Sequence, residues 1–424
     1  MKTVNDAHWI LVGASVEEVS VPSGTPMAGY AARVGPSSGV HDPLTVRAIV
    51  IEGVCWITMD VCGLDEKTCS DIREAVPLPA DHVVVSATHT HSGPCSMPDR
   101  LGNADSRFLA ALCRAALKAF AAALSDRTLC TVSYESFRGL RIAQNRRHPQ
   151  DDIDPELQVV VFTSRSGSVV AWLMQFPCHP VVLGADNHLI SGDYPAYTRI
   201  ALEQAEPGSI ALFLTGAAGD VNTGHTAESS YTQNSSPTRT FHEAERIGRT
   251  LAATGMAARE SPRLARSGLR VLTAEVHLEL EVLDVKTPVE LAGQWEQQTH
   301  NQPPGERALL RIWSDWAHAQ NTSAEMTWTG TITVMALAGI LLVALPGEPF
   351  LAGAEKIKGA FEIPVIVAGY SNGCPGYFPT DTEYEFGGYE VMDAHRYYGM
   401  PAPFKRGSLE ILVESAIRIG QLVL

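Results

Sequence analysis

Hydrophobic residues along this chain fall into short apolar runs that alternate with longer amphipathic stretches. In the first part, apolar runs typical of strands cover residues 48–59 (broken at Gly53), 82–87, 157–176 (broken at a Ser-Arg-Ser-Gly turn) and 210–214. Elsewhere apolar residues recur every three or four positions, which predicts helices over 65–75, 106–124, 194–205 and 240–258. Strands and helices that alternate in this way are typical of α/β proteins.

The second part of the chain has a different order of elements. Strands are predicted over 269–282, in a hairpin over 332–345 that turns at Ala338-Gly339, and from Pro364 onward. Helices are predicted over 288–300, 307–320, 349–361 and 408–424. The polar stretch 223–239 predicts a loop or lid. The sequence therefore predicts a mixed α/β (α+β) fold, with one large domain over residues 1–424 whose mixed β-sheets are flanked by helices.

Composition and charge restrict the partners of the protein. The chain has 424 residues, of which 45% are hydrophobic and 19% charged, enough for a large buried core. The formal net charge of −15 argues against nucleic acid and against an anionic membrane surface, because both need concentrated Lys and Arg. The longest apolar run, 332–345, is too short to cross a bilayer, so no integral membrane segment is predicted.

The cysteines and the N-terminus bear on the compartment. None of the eight cysteines forms a C-x-x-C pair and several lie in apolar stretches, which predicts reduced core cysteines. The first fifteen residues have no sustained apolar segment, since Asp6 and His8 interrupt it. We therefore expect no signal peptide and a cytoplasmic location.

Polar residues of metal-binding type follow the ends of several apolar strands, where open α/β folds build their sites. His89 and His91 come directly after the run 82–87. On an extended strand, side chains two positions apart point the same way, so both imidazoles would face one cavity, as metal binding requires. The alternative is a pair of surface or hydrogen-bonded histidines.

His179 follows a second apolar strand and precedes Pro180. A lone buried histidine is usually structural, but Asp186, His188 and Asp193 follow closely. Asp193 would either orient an imidazole or cap the next helix, and the cap is the simpler interpretation.

Two further strand ends carry carboxylates. Asp220 and Asn222 follow the run 210–214 among small residues, which suits close approach to a ligand but also suits a tight turn. Glu348 ends the most apolar strand, where a buried carboxylate needs a metal, an Arg or a helix N-terminus as partner. A segment rich in Tyr and Gly, residues 369–391, is typical of a pocket or interface wall.

Taken together and in this order, these segments resemble the N-terminal catalytic domain of the neutral (non-lysosomal) ceramidases. The resemblance runs from GASVEEVSVPSGTPMAGYAAR to about Glu390, and its motifs are HTHSGP, CHPVVLGADNHLISGDYP, LPGEPF and GYxPTxxxYExGGYE. It implies a zinc-dependent amidase whose zinc-bound water attacks an amide. The metal ligands that it implies are His89, His179, Glu348 and Tyr377.

The resemblance also implies roles around the metal. His91, Arg146 and Tyr389 would contact the scissile amide and its developing oxyanion, as donors of this kind do in hydrolases. His91 would also move a proton to the leaving amine. Asp220 and Asn222 would lie at the substrate.

The sequence departs from the ceramidase pattern at three points. Asn222 replaces a serine of the family, which removes any nucleophile there but not attack by water. The chain ends at Leu424 without the family's immunoglobulin-like domain, and no secretion signal is visible. We therefore expect a small or soluble N-acyl substrate rather than a long-chain lipid.

Two other functions stay open at this point. The same zinc-dependent chemistry would hydrolyse an ester, a lactone or a cyclic amide. A non-catalytic binding protein on a decayed amidase fold is the third hypothesis, although an intact set of four ligands speaks against decay. The sequence also leaves a homo-oligomer open.

Overall fold

The computed structural model describes residues 8–98, 100, 102–226, 233, 236–265, 268–282, 286–320 and 325–424. The strands in these residues are β1 (Ile10–Val19), β2 (Gly39–Val40), β3 (Leu44–Ile51), β4 (Val54–Met59), β5 (Val83–Ala87), β6 (Thr128–Phe137), β7 (Gln144–Asn145), β8 (Leu157–Ser164), β9 (Val169–Phe176), β10 (Leu189–Ile190), β11 (Ile210–Thr215), β12 (Val221–Asn222), β13 (Leu269–Glu279), β14 (Thr327–Leu337), β15 (Ile340–Ala344), β16 (Glu348–Pro349), β17 (Val365–Ala368) and β18 (Tyr377–Phe378). The helices are α1 (Glu66–Ala75), α2 (Ser106–Ser125), α3 (Asp193–Ala205), α4 (Phe241–Gly255), α5 (Pro288–Gln298), α6 (Pro304–Ala319), α7 (Leu351–Gly359) and α8 (Ser408–Val423).

Two mixed sheets form the centre of the fold. The larger has eight strands in the order β11-β9-β8-β6-β1-β3-β4-β5, and the smaller has four in the order β13-β14-β15-β17. Most neighbours are antiparallel, but β11 and β9, β4 and β5, and β15 and β17 are parallel pairs. These parallel pairs send their carboxyl ends toward the functional site.

The two sheets pack face to face and helices cover their outer faces. One apolar cluster joins the inner faces, with Ile49 and Leu173 from the large sheet against Leu342 from the small one. On the outer faces, α2 packs on β1 and β3, α3 packs on β11, and α8 packs on β13 and β14. Each fully buried side chain of this size contributes roughly 1.5–3 kcal/mol through the hydrophobic effect. The molecule therefore has four layers, helix, sheet, sheet and helix.

Local sequence signals explain where several helices begin. Asp65 accepts a hydrogen bond from Thr68 N at 2.9 Å before α1, and Thr240 caps α4 in the same way. Before α5, Thr287 and Glu290 form a reciprocal capping box. Such caps satisfy backbone N–H groups that have no partner inside the helix.

The predicted mixed α/β fold is confirmed, and the predicted strands and helices appear close to their predicted bounds. Two long strands, β1 and β6, are not evident from periodicity, because polar residues such as Glu17 and Ser133 interrupt their apolar positions. The predicted loop 223–239 contains no helix or strand where the structure describes it, and residues 227–232, 234 and 235 lie outside that part.

One helix, α2, is long and apolar enough to cross a membrane by length and composition alone. Its buried side chains include Phe108, Leu112 and Phe120, which pack into the core beside β1 and β3. The core helix of a folded protein meets the same criterion. The described cysteines are all free and seven of the eight are buried, in agreement with the predicted reduced core cysteines.

Candidate metal centre

The candidate site forms where the carboxyl ends of the parallel strand pairs meet. His89 follows β5, His179 follows β9, and Glu348 follows β15 as the first residue of β16. Backbone hydrogen bonds connect the two sheets beside them: Ala87 N donates to Tyr370 O at 3.0 Å, and Gly369 N donates to Thr215 O at 3.0 Å. The site is therefore held by backbone from both sheets.

Two histidines and one glutamate converge in this place. His179 Nε2 lies 2.9 Å from Glu348 Oε2, and His89 Nε2 lies 3.3 Å from the same oxygen. The three side chains are at most 1% exposed, and their candidate ligand atoms lie within 4.8 Å of one another. Two imidazoles and a carboxylate are a common donor set for catalytic zinc.

Backbone carbonyls orient both imidazoles. His89 Nδ1 contacts Cys62 O, and His179 Nδ1 contacts Ala218 O, each at 2.5 Å. A carbonyl only accepts hydrogen bonds, so each Nδ1 carries a proton and each Nε2 is directed at Glu348. This is the arrangement that ligating histidines adopt in metal sites.

The electrostatics of the cluster favour a cation beside Glu348. Burial alone would raise the pKa of Glu348, but the imidazoles of His89 and His179 outweigh it and hold the pKa well below its usual range. Burial alone would lower the pKa of His89, but Glu348 outweighs it and raises that pKa to about 10. Burial and then Arg146 lower the pKa of His179 to about 4. The donor set and its charge therefore fit a divalent metal ion.

The H-x-H segment reaches the site by a different geometry from the predicted one. Strand β5 ends at Ala87, and His89 adopts the left-handed region with φ of 67°. The predicted extended strand through His89 and His91 is therefore wrong. The two imidazoles still meet, with their Nε2 atoms 3.2 Å apart.

Tyr377 lies beside Glu348 because the two residues are partners in a short parallel ladder. Strands β16 and β18 pair Glu348 with Tyr377. The Tyr377 ring is nearly parallel to the His179 ring, with centroids 6.3 Å apart. Burial and Glu348 raise the pKa of Tyr377 well above its usual value, so its oxygen stays protonated unless a cation approaches.

Two tyrosines that the sequence did not assign to the metal site contact it. Tyr398 Oη donates to Glu348 Oε1. Tyr370 lies 3.5 Å from Glu348 Oε2, and its ring stacks on His89 with centroids 4.1 Å apart. Tyr370 belongs to the tyrosine-rich segment 369–391, whereas Tyr398 follows the end of the ceramidase-like motifs. No local pattern separates Tyr398 from its neighbour Tyr397.

Arg146 lies above Tyr377 and is fixed from two sides. Its guanidinium carbon is 5.3 Å from the Tyr377 ring centre, its Nη2 donates to Gly219 O at 2.7 Å, and its Nε pairs with Glu390 at 2.9 Å. Arg147 contacts the other Glu390 oxygen at 2.5 Å. Glu390 therefore holds both arginines, a role that the sequence did not indicate.

Tyr389 and Asn222 face the same cavity as His91 and Arg146. The Tyr389 ring is 5.7 Å from the Tyr377 ring. Asn222 Oδ1 accepts from Gly224 N at 2.9 Å and from His225 N at 3.0 Å, so its amide stabilises a turn. The structure thus brings these predicted residues together, while their roles stay predictions.

Two predicted carboxylates point elsewhere. Asp220 does not line the cavity; its Oδ1 accepts from Leu351 N at 2.8 Å at the start of α7, and burial raises its pKa to about 6. Asp193 accepts from Tyr194 N at 2.6 Å and from Leu183 N at 3.0 Å. Asp193 is the first residue of α3, whereas the N-cap is Gly192 and no side chain caps this helix. The predicted cap is therefore wrong, and the carboxylate of Asp193 accepts from neighbouring backbone amides rather than orienting an imidazole.

Above the metal centre lies a cavity of about 400 Å³. His91, Arg146, Tyr377 and Tyr389 line it, together with apolar side chains such as Ile312. A cavity of this size accommodates a small molecule.

No model of a protein family matches the chain. Over 229 residues, 46% of this chain, the sequence is 26% identical to neutral ceramidase of Pseudomonas aeruginosa, and the match spans only 34% of that protein. The structure aligns with a crystal structure of neutral ceramidase from Pseudomonas aeruginosa at a TM-score of 0.74 and 16% identity, covering 99% of this chain and 75% of the other.

A second solved structure, a ceramidase complexed with C2, aligns at a TM-score of 0.72 and 17% identity, covering 99% of this chain and 76% of the other. The chain is thus a mixed α/β protein with its candidate site at strand ends. Its fold is that of the neutral ceramidases, so the ceramidase-like fold expected from the sequence is confirmed.

Proposed function

We propose that this protein is a zinc-dependent hydrolase that cleaves the C–N bond of a small N-acyl amide. The observation that carries the proposal is the convergence of His89, His179 and Glu348, with both Nδ1 atoms on backbone carbonyls. Similarity to neutral ceramidases supports amide hydrolysis as the reaction class.

His89, His179, Glu348 and Tyr377 would hold the zinc. When bound, zinc supplies Lewis-acid polarisation of the amide carbonyl and lowers the pKa of a water toward neutrality. The first three donors are oriented by backbone carbonyls and by Tyr398, so the site is organised before any ligand arrives.

The remaining side chains act on the substrate. Arg146, fixed by Glu390 and Gly219 O, donates to the amide oxygen as negative charge develops there, and Tyr389 donates beside it. His91 moves a proton to the departing nitrogen. One water is consumed, a C–O bond forms as the C–N bond breaks, and an acid and an amine leave.

Asn222 supports water as the nucleophile. Its amide has no nucleophilic oxygen and is engaged with Gly224, His225 and their turn. The reaction therefore proceeds without a covalent acyl-enzyme at this position.

The test combines metal content with turnover. We expect the purified protein to bind about one zinc per chain and to hydrolyse members of a panel of short N-acyl amides. Glu348→Gln removes the ligand charge but keeps the shape, and His89→Ala removes a ligand; both should lose zinc and activity together.

Glu245→Gln is the matched control for Glu348→Gln, because the Glu245 side chain on α4 is 41% exposed. Stoichiometric zinc without turnover of any amide would contradict the proposed hydrolase. Short esters and lactones belong in the same panel, and turnover confined to them would replace amide hydrolysis by ester hydrolysis.

A further inference from the structure

The cavity beside the metal centre is basic, although the protein as a whole is acidic. Arg33, Arg146 and Arg239 line it, and in the part of the chain that the structure describes no Asp or Glu does. The formal net charge of the chain is −15. The positive charge of this cavity is therefore local and does not reflect the overall charge of the protein.

Arg33 is a buried cation whose hydrogen bonds all go to neutral groups. It is 8% exposed and donates to the carbonyl oxygens of Ala28 at 2.6 Å, His91 at 2.8 Å, Asn187 at 2.9 Å and Gly184 at 3.4 Å. Within the described residues, no carboxylate lies at ion-pair distance from Arg33. A buried charge without an opposite charge is unfavourable, and an anion in the cavity would compensate it.

Tyr30 connects the basic groups to the reaction centre. The guanidinium carbons of Arg33 and Arg239 lie 5.0 Å and 5.5 Å from the Tyr30 ring centre. The His91 ring centre lies 5.0 Å from the same ring. Arg239 also donates to Tyr30 Oη at 3.1 Å. Arg33, Arg239, His91 and Tyr377 line the same cavity, so one small molecule in it can contact the guanidinium groups and the edge of the candidate metal centre.

Arg146 does not need an anion in the cavity, because Glu390, 2.9 Å away, already neutralises its charge. The uncompensated positive charge at the cavity is therefore that of Arg33, and Arg239 adds a second guanidinium beside the same Tyr30 ring. Because carbonyls already take most of the N–H donors of Arg33, its contribution to binding a carboxylate is mainly its positive charge.

We propose that the substrate is a small amide that carries a carboxylate within a few bonds of the scissile C–N bond, bound by Arg33 and Arg239. This inference rests on the proposed function and names its substrate class. The carboxylate itself does not react; it fixes the amide over the metal centre. It belongs either to the amine half, as in an N-acyl amino acid, or to the acyl half, as in a dicarboxylic monoamide.

Matched probes test the charge. N-hexanoylglycine is compared with its neutral carboxamide and with cationic N-hexanoyl-diaminoethane, and release of hexanoate is measured. In a second arm, the N-ethyl monoamide of hexanedioic acid is compared with its carboxamide by release of ethylamine. In at least one of these two arms, kcat/KM should be at least about tenfold higher for the carboxylate probe than for its carboxamide, because hydrogen bonds to charged groups are strong.

Variants test the arginines through the ratio of kcat/KM for the anionic and neutral probes. Arg239→Gln and Arg33→Gln should each lower this ratio by about tenfold, and Arg33→Lys should restore part of it. A purely structural role would lower both rates and leave the ratio unchanged. If Arg33→Gln fails to fold, Arg239→Gln carries the test. Arg249→Gln, exposed on α4, is the control.

The outcomes separate the two proposals. Equal turnover of neutral and anionic probes, or a ratio that both Gln variants leave unchanged, would overturn the carboxylate inference while amide hydrolysis stands. If no probe is turned over, calorimetry measures binding of N-hexanoylglycine and of its carboxamide. Binding of N-hexanoylglycine that is at least about tenfold tighter, and that loses this advantage in Arg239→Gln, supports the anion site although the hydrolase proposal fails. Equal binding of both would overturn the inference.

Discussion

Glu348 shows how much a single buried side chain requires of its surroundings. Its carboxylate contacts His89, His179 and Tyr398, and Tyr370 lies 3.5 Å away. An isolated buried carboxylate would be strongly unfavourable, and these groups stabilise its charge in the space where a cation fits. The need for a partner was evident from its position after an apolar strand, but the partners were not.

Two tyrosines of the site provide a matched pair for separating metal binding from turnover. Tyr377 is paired with Glu348 in the β16–β18 ladder, whereas Tyr389 packs its ring against the Tyr377 ring. We expect Tyr377→Phe to weaken zinc affinity by about tenfold or more, by analogy with other lost contacts at metal sites. Tyr389→Phe should keep zinc affinity and lower kcat by about 10²-fold, as loss of an oxyanion donor does.

Zinc affinity from competition with a chelating dye, and kcat on the same samples, measure both effects. Equal zinc affinity in Tyr377→Phe and the unchanged protein would show that Tyr377 is not a metal ligand. A loss of zinc in Tyr389→Phe would show that the two tyrosines do not have separate roles.

Among the elements, helix α3 is attached to the large sheet by a buried ion pair close to the site. Arg199 on α3 makes two hydrogen bonds of 2.7 Å to Asp60, which follows β4. Asp60 also accepts from Thr45 in β3 and from Thr88 after β5. The carboxylate thus joins three strands and one helix.

Removing the cation of this pair should destabilise the protein strongly. Arg199→Met leaves Asp60 buried without its opposite charge, which costs about 3–5 kcal/mol of unfolding free energy. Arg249→Met, at an exposed position on α4, should change it by about 0.5 kcal/mol or less. Urea unfolding at pH 7 measures both, and a small loss in Arg199→Met would show that the hydroxyl and amide donors suffice.

The pH dependence of the same variant has a defined sign. Burial alone would raise the pKa of Asp60, but Arg199 outweighs it and the pKa is lowered. In the unchanged protein this stability is therefore present at neutral pH and lost only as the pH falls through the lowered pKa. Without Arg199, only Thr45 and Arg47 oppose the effect of burial, so the pKa of Asp60 should rise. The deficit of Arg199→Met should therefore shrink as the pH is lowered from 7 toward 4.

At the scale of the whole molecule, the candidate metal ligands come from both sheets. His89 and His179 follow strands of the large sheet, whereas Glu348 follows a strand of the small one. Zinc binding should therefore stabilise the packing of the sheets as well as the site. A ligand at 1,000 times its dissociation constant adds about 4 kcal/mol to folding stability.

Chelation measures this coupling. A strong zinc chelator should lower the Tm of the purified protein by several degrees, and added zinc should restore it. Glu348→Gln should show little response to chelator or zinc, while Glu245→Gln, on the outer face of α4, should respond like the unchanged protein. If the chelator leaves the Tm of a zinc-loaded sample unchanged, the metal does not connect the sheets.

The sequence by itself determined most elements and the residues at their ends. Apolar periodicity is a local property, so β5, β9 and β15 could be predicted along with the polar residues that follow them. The strand ends made His89 and Glu348 candidates, His179 became one only together with its neighbours, and Tyr377 came only from resemblance. Strands β1 and β6 were missed because their polar residues interrupt that periodicity.

Only the tertiary structure decided which of these ends meet. His179 and Glu348 are 169 positions apart, and their contact depends on the packing of one sheet on the other. The left-handed turn at His89, the Tyr398 contact and the uncompensated charge of Arg33 likewise depend on neighbours that are distant in sequence. Local patterns record which side chains are buried, but the charges and donors around a buried group are set by the packing of the whole chain.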